Sequence, residues 1–213
     1  AFVVKFNSNG VRQWGTYYGG IDSDYGNGIS CDAGGNVFVT GWTESPNGIA
    51  TSGAHQYIHA GAGKLDNDAF VIKFNSNGVR QWGTYYGGND NDYGIGIFCD
   101  GNGNVFVTGN TSSSTGIATS GAHQETYAGG EDAFVVKFNS NGVRQWGTYY
   151  GGRYLCKGNG ISCDGNGNVY VTGYTESTTG IATSGSHQET YGDDYDAFVV
   201  KFNSAGVRQW GTY

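Results

Sequence analysis

The sequence predicts an all-β fold made of repeated four-stranded units. The stretch Ala1 to Gly20 recurs letter for letter at Ala133 to Gly152, and near copies begin at Ala69 and Ala197, so the unit is 64 or 68 residues long. Runs rich in β-branched and aromatic residues alternate with turns of glycine and asparagine. A period of this size is typical of stacked units that bury their cores between neighbours.

Each unit is expected to contain four strands joined by short antiparallel turns. In the second unit the turns are Asp100 to Asn104 and Asn139 to Gly142. The last copy of the second turn has Ala205 in place of asparagine. Because alanine avoids positive φ, we expect glycine alone in the left-handed region, as in a type I turn followed by a G1 bulge. The predicted strands of this unit are Gly96 to Asp100, Asn104 to Asn110, Ala133 to Phe138 and Val143 to Tyr150.

Segments such as Ala133 to Phe138 are apolar on both faces, so each sheet must be covered front and back. Four antiparallel strands covered by neighbouring units describe a β-propeller blade, and a β-solenoid is the alternative. The repeated tryptophans Trp14, Trp82, Trp146 and Trp210 are assigned to the blade core. The chain then forms one repeat array with a half-blade at 1–20 and blade units at about 21–88, 89–152 and 153–213.

The units also resemble a known family, the SBBP-type bacterial β-propeller repeat. The resemblance is carried by Gly160 to Thr175, by Asp196 to Asn203 and by Trp146 to Gly152, and it covers essentially the whole chain. It implies secreted or surface proteins of the Bacteroidetes type, in which such repeats accompany adhesion-like modules and a type IX secretion signal. It implies an extracellular or cell-surface location and no catalytic residues.

Charge and hydropathy narrow the range of partners. The net charge is −7 and the sequence pI is about 4.8, which makes nucleic acid an unfavourable partner. No apolar run approaches the roughly 18 residues needed to span a bilayer. The chain has no methionine and begins inside a repeat, so we expect a piece of a longer propeller. Its remaining blades would come from the same chain or from another one.

The cysteines are few and mostly periodic. Cys31, Cys99 and Cys163 occupy equivalent places, which favours small buried residues over disulfides. Cys156 lies outside the pattern, and a pairing with Cys163 remains open because sequence does not supply the geometry.

Three histidines, His55, His123 and His187, recur within the motif Gly-Ile-Ala-Thr-Ser-Gly-x-His-Gln. This recurrence favours packing, with the isoleucine filling the blade edge and the histidine bonded to loop backbone. A metal site would require the three histidines to converge. His59 is unrepeated and is expected at the surface.

Acidic pairs recur in the links between blades, at Asp22 and Asp24 and at Asp90 and Asp92. Alternating carboxylates can bind calcium weakly, but the distal glutamate of a complete loop does not follow. The favoured interpretation is solvated turn residues with Asx-type hydrogen bonds, and we expect no cofactor.

Ligand recognition is expected on the loop face, because all long and variable connections emerge on one side of the blades. Trp42 is replaced by Asn110 and Tyr174 in the other copies, so the blade does not require it. The link Arg153 to Lys157 departs most from its counterparts. The candidate ligand-binding residues are Trp42, Tyr57, Tyr154, Tyr174 and Arg153, with ordinary rim packing as the alternative.

These observations favour a noncatalytic extracellular module that serves as a scaffold or adhesive surface for a protein or glycan. The alternatives are a carbohydrate-active propeller enzyme and a calcium-stabilised lectin-like module.

Overall fold

The computed structural model describes residues 1–61 and 66–213, so residues 62–65 of the long loop Trp42 to Asn67 lie outside the described part. The described residues form one two-stranded and three four-stranded antiparallel sheets. The half-blade contains β1 (Phe2–Phe6) and β2 (Arg12–Tyr17). The first blade contains β3 (Asp24–Cys31), β4 (Val37–Thr43), β5 (Asp68–Phe74) and β6 (Arg80–Tyr86). The second blade contains β7 (Asp92–Cys99), β8 (Val105–Thr111), β9 (Asp132–Phe138) and β10 (Arg144–Tyr150), and the third contains β11 (Cys156–Cys163), β12 (Val169–Thr175), β13 (Asp196–Phe202) and β14 (Arg208–Thr212).

Within each complete blade the strands are neighbours in chain order, as predicted for a propeller blade. The first strands of successive blades pack against one another, β3 on β7 and β7 on β11. These three strands therefore form the inner edge of the array. They begin four residues earlier than the sequence indicated, because the blade-to-blade link already enters the sheet at Asp92.

The hairpin turns have the predicted chemistry. Gly78, Gly142 and Gly206 have φ between 78° and 80°, and Asn139 accepts a backbone hydrogen bond from Gly142. The residue before each glycine has negative φ, since Asp194 is the single non-glycine residue of the described part with positive φ. A register shift follows each turn, as a G1 bulge requires.

The inner strands are rich in glycine because neighbouring backbones approach each other closely. A Cβ atom on Gly28 would lie 2.6 Å from the carbonyl oxygen of Ile95, and one on Gly96 would lie 2.9 Å from that of Asn159. Both distances are too short for a side chain. Glycine therefore sets the spacing between blades.

Aromatic packing joins each blade to the next one. Phe138 of the second blade is fully buried and packs against Trp82, Tyr86 and His55 of the first blade, with ring centroids 5.8 to 6.4 Å apart. Phe202 packs in the same way against the second blade. The apolar face of the third strand is thus covered by the preceding blade, which explains why both of its faces are apolar.

Hydrogen bonds to one carbonyl group reinforce this contact. Trp82 Nε1 donates to the carbonyl oxygen of Ser140 over 3.0 Å, and Lys73 Nζ donates to the same oxygen over 3.2 Å. Ser140 lies in the last turn of the following blade. Trp14 and Trp146 make the equivalent bonds to Ser76 and Ser204. The repeated tryptophans therefore lie between blades, at the edge of the core.

The two adjacent tyrosines of the repeat have different roles. Tyr85 Oη donates to Ser45 of its own blade, whereas Tyr86 Oη donates to the carbonyl oxygen of Ile117 in the next blade. Ile49, Ile117 and Ile181 are fully buried, so the prediction that the loop isoleucine fills the blade edge is confirmed.

Two predictions about buried residues were wrong. His59 is only 2% exposed and packs against Tyr85, because it occupies the place that Tyr127 holds in the second blade. Cys31 is exposed, because the half-blade contributes no inner strand to cover it. Cys156 and Cys163 are free thiols at opposite ends of β11, which excludes the disulfide between them.

The tryptophan contact can be tested by comparing Trp82→Phe with Trp210→Phe. Phenylalanine keeps an aromatic ring but removes the indole donor from Ser140. We expect Trp82→Phe to lower the free energy of unfolding by about 1–2 kcal/mol in chemical denaturation, the cost of losing one hydrogen bond between blades while Lys73 still binds the Ser140 oxygen. Trp210 is 38% exposed in the last blade, so its substitution should cost much less. Equal losses in the two variants would contradict this role.

Candidate functional site

The acidic links between blades are built into the scaffold. Asp24 begins β3 and accepts hydrogen bonds from Thr43 Oγ1 (2.5 Å), Ser45 Oγ (3.2 Å) and the backbone nitrogen of Gly20 (2.9 Å). Asp92 begins β7 and is bound in the same way by Thr111, Ser113 and Gly88. These bonds hold the Tyr-Tyr-Gly-Gly link against the loop that follows the second strand.

Cys156 takes the place of this aspartate in the third blade. Its sulfur lies 2.8 Å from Thr175 Oγ1, the equivalent of Thr43 and Thr111. Burial raises the pKa of the Cys156 thiol. The unmatched cysteine is therefore a neutral substitute for a buried carboxylate.

A second set of aspartates begins the third strands. Asp68 and Asp132 are fully buried, and Oδ2 of each accepts one bond from a glutamine, Gln56 or Gln124, and one from loop backbone. Burial raises the pKa of Asp132 to about 7. Asp92 is likewise fully buried, so the expectation of solvated turn residues is wrong for it.

The other two calcium candidates, Asp22 and Asp90, lie in the blade links. The backbone nitrogens of Asp22 and Asp90 donate to Ser45 Oγ and Ser113 Oγ, and Asp90 Oδ1 accepts a bond from the nitrogen of Asn91. Within residues 1–61 and 66–213, no group of three or more histidine, cysteine and acidic side chains is arranged to hold a metal ion. The bond from Asn91 to the Asp90 side chain favours the Asx-type interpretation for Asp90.

The recurrent histidines occupy separate junctions and do not converge. His55 packs against Tyr86 and Phe138, while His123 packs against Tyr150 and Phe202. Burial, aided by the charges of Arg144 and Arg208, lowers the pKa of both histidines to about 4. They therefore act as neutral packing groups at neutral pH. Within the described residues neither ring is bonded to loop backbone, so the packing part of the prediction holds and the hydrogen-bond part is wrong.

Three structurally equivalent positions change from blade to blade and together form what we call the variable row. They are the second residue of the inner strand, its cross-strand partner on the second strand, and the residue before the third strand. All three lie at the loop end of their strands. The variable row consists of Tyr25, Trp42 and Asn67 in the first blade, Tyr93, Asn110 and Glu131 in the second, and Lys157, Tyr174 and Tyr195 in the third.

One end of the variable row is aromatic. Trp42 stacks on Tyr25 with ring centroids 4.2 Å apart and meets the edge of Tyr93 at 5.8 Å, across the blade junction. Asn67 Nδ2 donates to Tyr93 Oη over 3.1 Å and to Asn91 Oδ1 over 2.8 Å. Tyr25 is 53% exposed, so one side of the cluster is accessible to solvent. The other side is held by the contact between Trp42 and Tyr93.

The middle of the variable row is charged. Lys157 Nζ and Glu131 Oε2 form an ion pair of 2.9 Å between the second and third blades, and Asn110 Nδ2 donates to the same oxygen over 3.2 Å. Burial lowers the pKa of Lys157, but the hydrogen bond and charge of Glu131 outweigh it and raise the pKa overall. Tyr174 and Tyr195 meet edge to face at 5.6 Å beyond this pair.

The structure separates the candidates that sequence grouped together. Trp42 and Tyr174 belong to the variable row, at its two ends. Arg153 and Tyr154 lie in the preceding blade link, with the guanidinium carbon 6.0 Å from the tyrosine ring. Tyr57 lies in the long loop and is 63% exposed.

Sequence reasoning missed most members of the variable row, including Tyr25, Tyr93, Asn67, Glu131 and Tyr195. The available signal was the alignment of the copies, because the residue before the third strand differs in every blade and Lys157 replaces the tyrosine of the other two blades. Their contacts across blades only become visible in the folded chain.

The matches to known proteins agree with this architecture. The model of the SBBP family, described as a beta-propeller repeat, matches residues 13–50, 81–117 and 145–182, a little over half of the chain. The chain belongs to the SBBP β-propeller repeat family. Each SBBP match spans the last strand of one blade and the first two strands of the next. It ends at the buried loop isoleucine or at the alanine that follows it.

The SBBP repeats are also similar to an uncharacterised WD repeat-containing protein of Acanthamoeba polyphaga mimivirus. The two are 23% identical over 224 residues, which is 93% of this chain and 16% of the viral protein. The chain thus spans about a sixth of that relative's length.

Within the described residues, no helix has the length and apolar character needed to cross a membrane.

The independence of the variable row from the scaffold can be tested with Trp42→Asn, which copies Asn110. Because Trp42 is half-buried, we expect a loss of about 1–2 kcal/mol in the free energy of unfolding. The control is Phe70→Ala, which removes a fully buried ring. That variant should lose about 3–5 kcal/mol. A loss for Trp42→Asn as large as that for Phe70→Ala would show that the row supports the fold.

Calcium dependence can be tested by thermal unfolding. Since Asp24 and Asp92 already accept hydrogen bonds from their own blades, we expect the same melting temperature in EDTA and in excess calcium. A ligand present at 100 times its Kd would add about 2.7 kcal/mol of stability, which is easily detected. A rise in calcium that is lost in Asp90→Asn would establish a calcium site at this link.

Proposed function

We propose that this SBBP chain is a noncatalytic binding module whose variable row contacts a protein or glycan partner. The observation that carries the proposal is the row itself. Its three positions carry different residues in different blades while the strands around them largely repeat, and the contacts Trp42–Tyr93 and Glu131–Lys157 join the row across blade junctions. Variable side chains that are brought together on a rigid scaffold are typical of recognition surfaces.

The chemistry of the row suits recognition. The Tyr25, Trp42 and Tyr93 cluster offers aromatic edges and a hydroxyl group, which can pack against a sugar ring or an apolar side chain. Lys157 and Glu131 offer opposite charges 2.9 Å apart at an exposed edge, and such rim charges contribute to partner selection more than to affinity.

The acidic groups of the blades support a noncatalytic role. Asp68, Asp92 and Asp132 have raised pKa values but are fully buried and bound by their own loops. A general acid or base must come within hydrogen-bond reach of a substrate. These carboxyl groups are instead used to hold the loops in place.

We further propose an extracellular or bacterial cell-surface location, with adhesion as the biological context and type IX secretion as the route. The support is the kinship with SBBP repeats. The apolar faces of the half-blade and of the third blade, with Tyr17 91% and Phe2 73% exposed, suit further blades of the same propeller or of another chain.

Binding can be tested with glycan arrays and pull-down of surface proteins by the chain. We expect retention of a partner to be lost in Trp42→Ala and Tyr174→Ala, which truncate both ends of the variable row. Asn102→Ala, on the opposite face of the second blade, is the matched control and should bind normally.

Retention that survives both truncations would place the binding surface elsewhere and contradict the proposal. Hydrolysis of a retained glycan, lost in the same two variants, would replace the noncatalytic role with an enzymatic one.

A further inference from the structure

Two buried aspartates from different elements face each other at the junction of the first and second blades. Asp68 begins β5 and Asp92 begins β7, and both are fully buried. Asp68 Oδ2 accepts bonds of 2.8 Å from Gln56 Nε2 and from the backbone nitrogen of Ala60. Both oxygens of Asp92 are also occupied, Oδ1 by Thr111 and Oδ2 by Ser113 and Gly88.

The remaining oxygen, Asp68 Oδ1, is buried and has no hydrogen-bond partner in the described part of the chain. It points at Gly87. A Cβ atom on Gly87 would lie 2.5 Å from this oxygen and 2.6 Å from Asp92 Oδ2, so the two carboxylate oxygens are at most about 5.1 Å apart. Gly87 is the residue that leaves room for both.

No cationic side chain forms an ion pair with either aspartate in the described residues, where the one ion pair joins Lys157 and Glu131. Two ionised carboxylates at this separation in a buried site repel each other strongly, so one of them retains a proton. Burial is the largest influence on both groups and raises the pKa of each, and the charge of Asp68 raises that of Asp92 further.

Other titratable groups also face the pair. On the loop before β5, His59 lowers and Asp66 raises the pKa of Asp68. On the strands packed against the pair, Tyr85 and Tyr86 of β6 and Tyr149 of β10 have their pKa values raised by burial and by these carboxylates, and remain neutral.

We propose that the Asp68–Asp92 pair is a proton-binding site between blades, with a single proton carried on Asp68 Oδ1 and facing Asp92. The assignment to Asp68 follows from the donors. Both oxygens of Asp92 already accept hydrogen bonds, which favours its ionised form. Asp68 Oδ1 accepts none, so a hydrogen atom on it meets no competing donor.

The next junction provides a natural comparison. Asp132 is the equivalent of Asp68, and its Oδ1 is likewise buried without a partner and points at Gly151. The residue opposite is Cys156, whose β-carbon would lie 3.3 Å from a Cβ atom on Gly151. A neutral thiol cannot share a proton with Asp132 as a carboxylate can. The paired site is thus a property of the first of these two junctions.

The site makes the stability of the junction depend on pH. The folded chain holds the proton at pH values where an exposed aspartate, with a pKa near 3.9, has lost it. Folding therefore takes up a proton, and the contribution of the site to stability falls as the pH rises from about 4 through the raised pKa. This direction is opposite to that of an ordinary surface aspartate in an ion pair.

The test uses Asp68→Asn, whose amide group mimics the protonated acid and can keep the bonds from Gln56 and Ala60. We expect the folding constant of the unchanged chain, measured by urea unfolding, to fall between pH 5 and pH 8 by at least about tenfold more than that of Asp68→Asn, since one pKa unit corresponds to tenfold. Asp92→Cys, which copies the third blade, should reduce the pH dependence in the same way.

The double variant distinguishes a shared proton from two separate acids. For a shared proton, Asp68→Asn and Asp92→Cys together should change the pH dependence by less than the sum of the single effects. Asp132→Asn is the matched control, and its effect should add to that of Asp92→Cys. Additive effects of Asp68→Asn and Asp92→Cys would overturn the proposal.

Carbon-13 NMR of the aspartate carboxyl groups in the unchanged chain provides a readout that does not depend on the stability of any variant. Asp68 should be the carboxyl group that titrates in the neutral range, and Asp92 should titrate at a lower pH than Asp68. Titration of Asp92 in place of Asp68 would overturn the assignment. A pH dependence that disappears in excess calcium would show a cation, and no proton, between the two carboxylates, and would also overturn it.

Discussion

The contact between one blade's third strand and the preceding blade is the constraint on which the rest of this structure depends. The ring of Phe138 is buried against Trp82 and Tyr86 of the preceding blade. The carbonyl oxygen of Ser140 accepts its hydrogen bonds from the indole and ammonium groups of that preceding blade. A single blade satisfies neither requirement alone. Both partners must therefore stay fixed, which explains why the segment from Ala133 to Gly152 is a letter-for-letter copy of another.

The same constraint leaves the loop ends of the strands free to vary. Trp42, Asn110 and Tyr174 follow identical Val-Thr-Gly segments, yet each blade has a different residue at this position. Substitution at Trp42 or Tyr174 changes a half-buried contact, whereas substitution at the fully buried Phe138 would open the junction. The variable row thus combines residues that differ between blades with a scaffold that repeats.

Buried polar groups perform a third task, the attachment of long loops to the blades. Gln56 donates to Asp68 and accepts from the backbone of Gly87, so one amide group joins the loop, the third strand and the blade link. Thr111 and Ser113 hold Asp92 in a similar way. Burying a carboxylate is unfavourable unless several donors bind it. In the third blade, Cys156 occupies the position of Asp92 as a neutral group.

The sequence by itself determined the repeat, the four strands of each blade, the glycine at the left-handed position of each turn and the face on which the long loops lie. These features follow from local conformational preferences and from apolar patterns within one unit. Only the tertiary structure decided that His59 is buried, that Cys31 is exposed, that Asp68 and Asp92 share a junction, and that Trp42 meets Tyr93. Each of these depends on which residues meet across a blade junction, often more than 20 positions apart in the chain, and the periodic pattern is the same whether a side chain meets a neighbour or water.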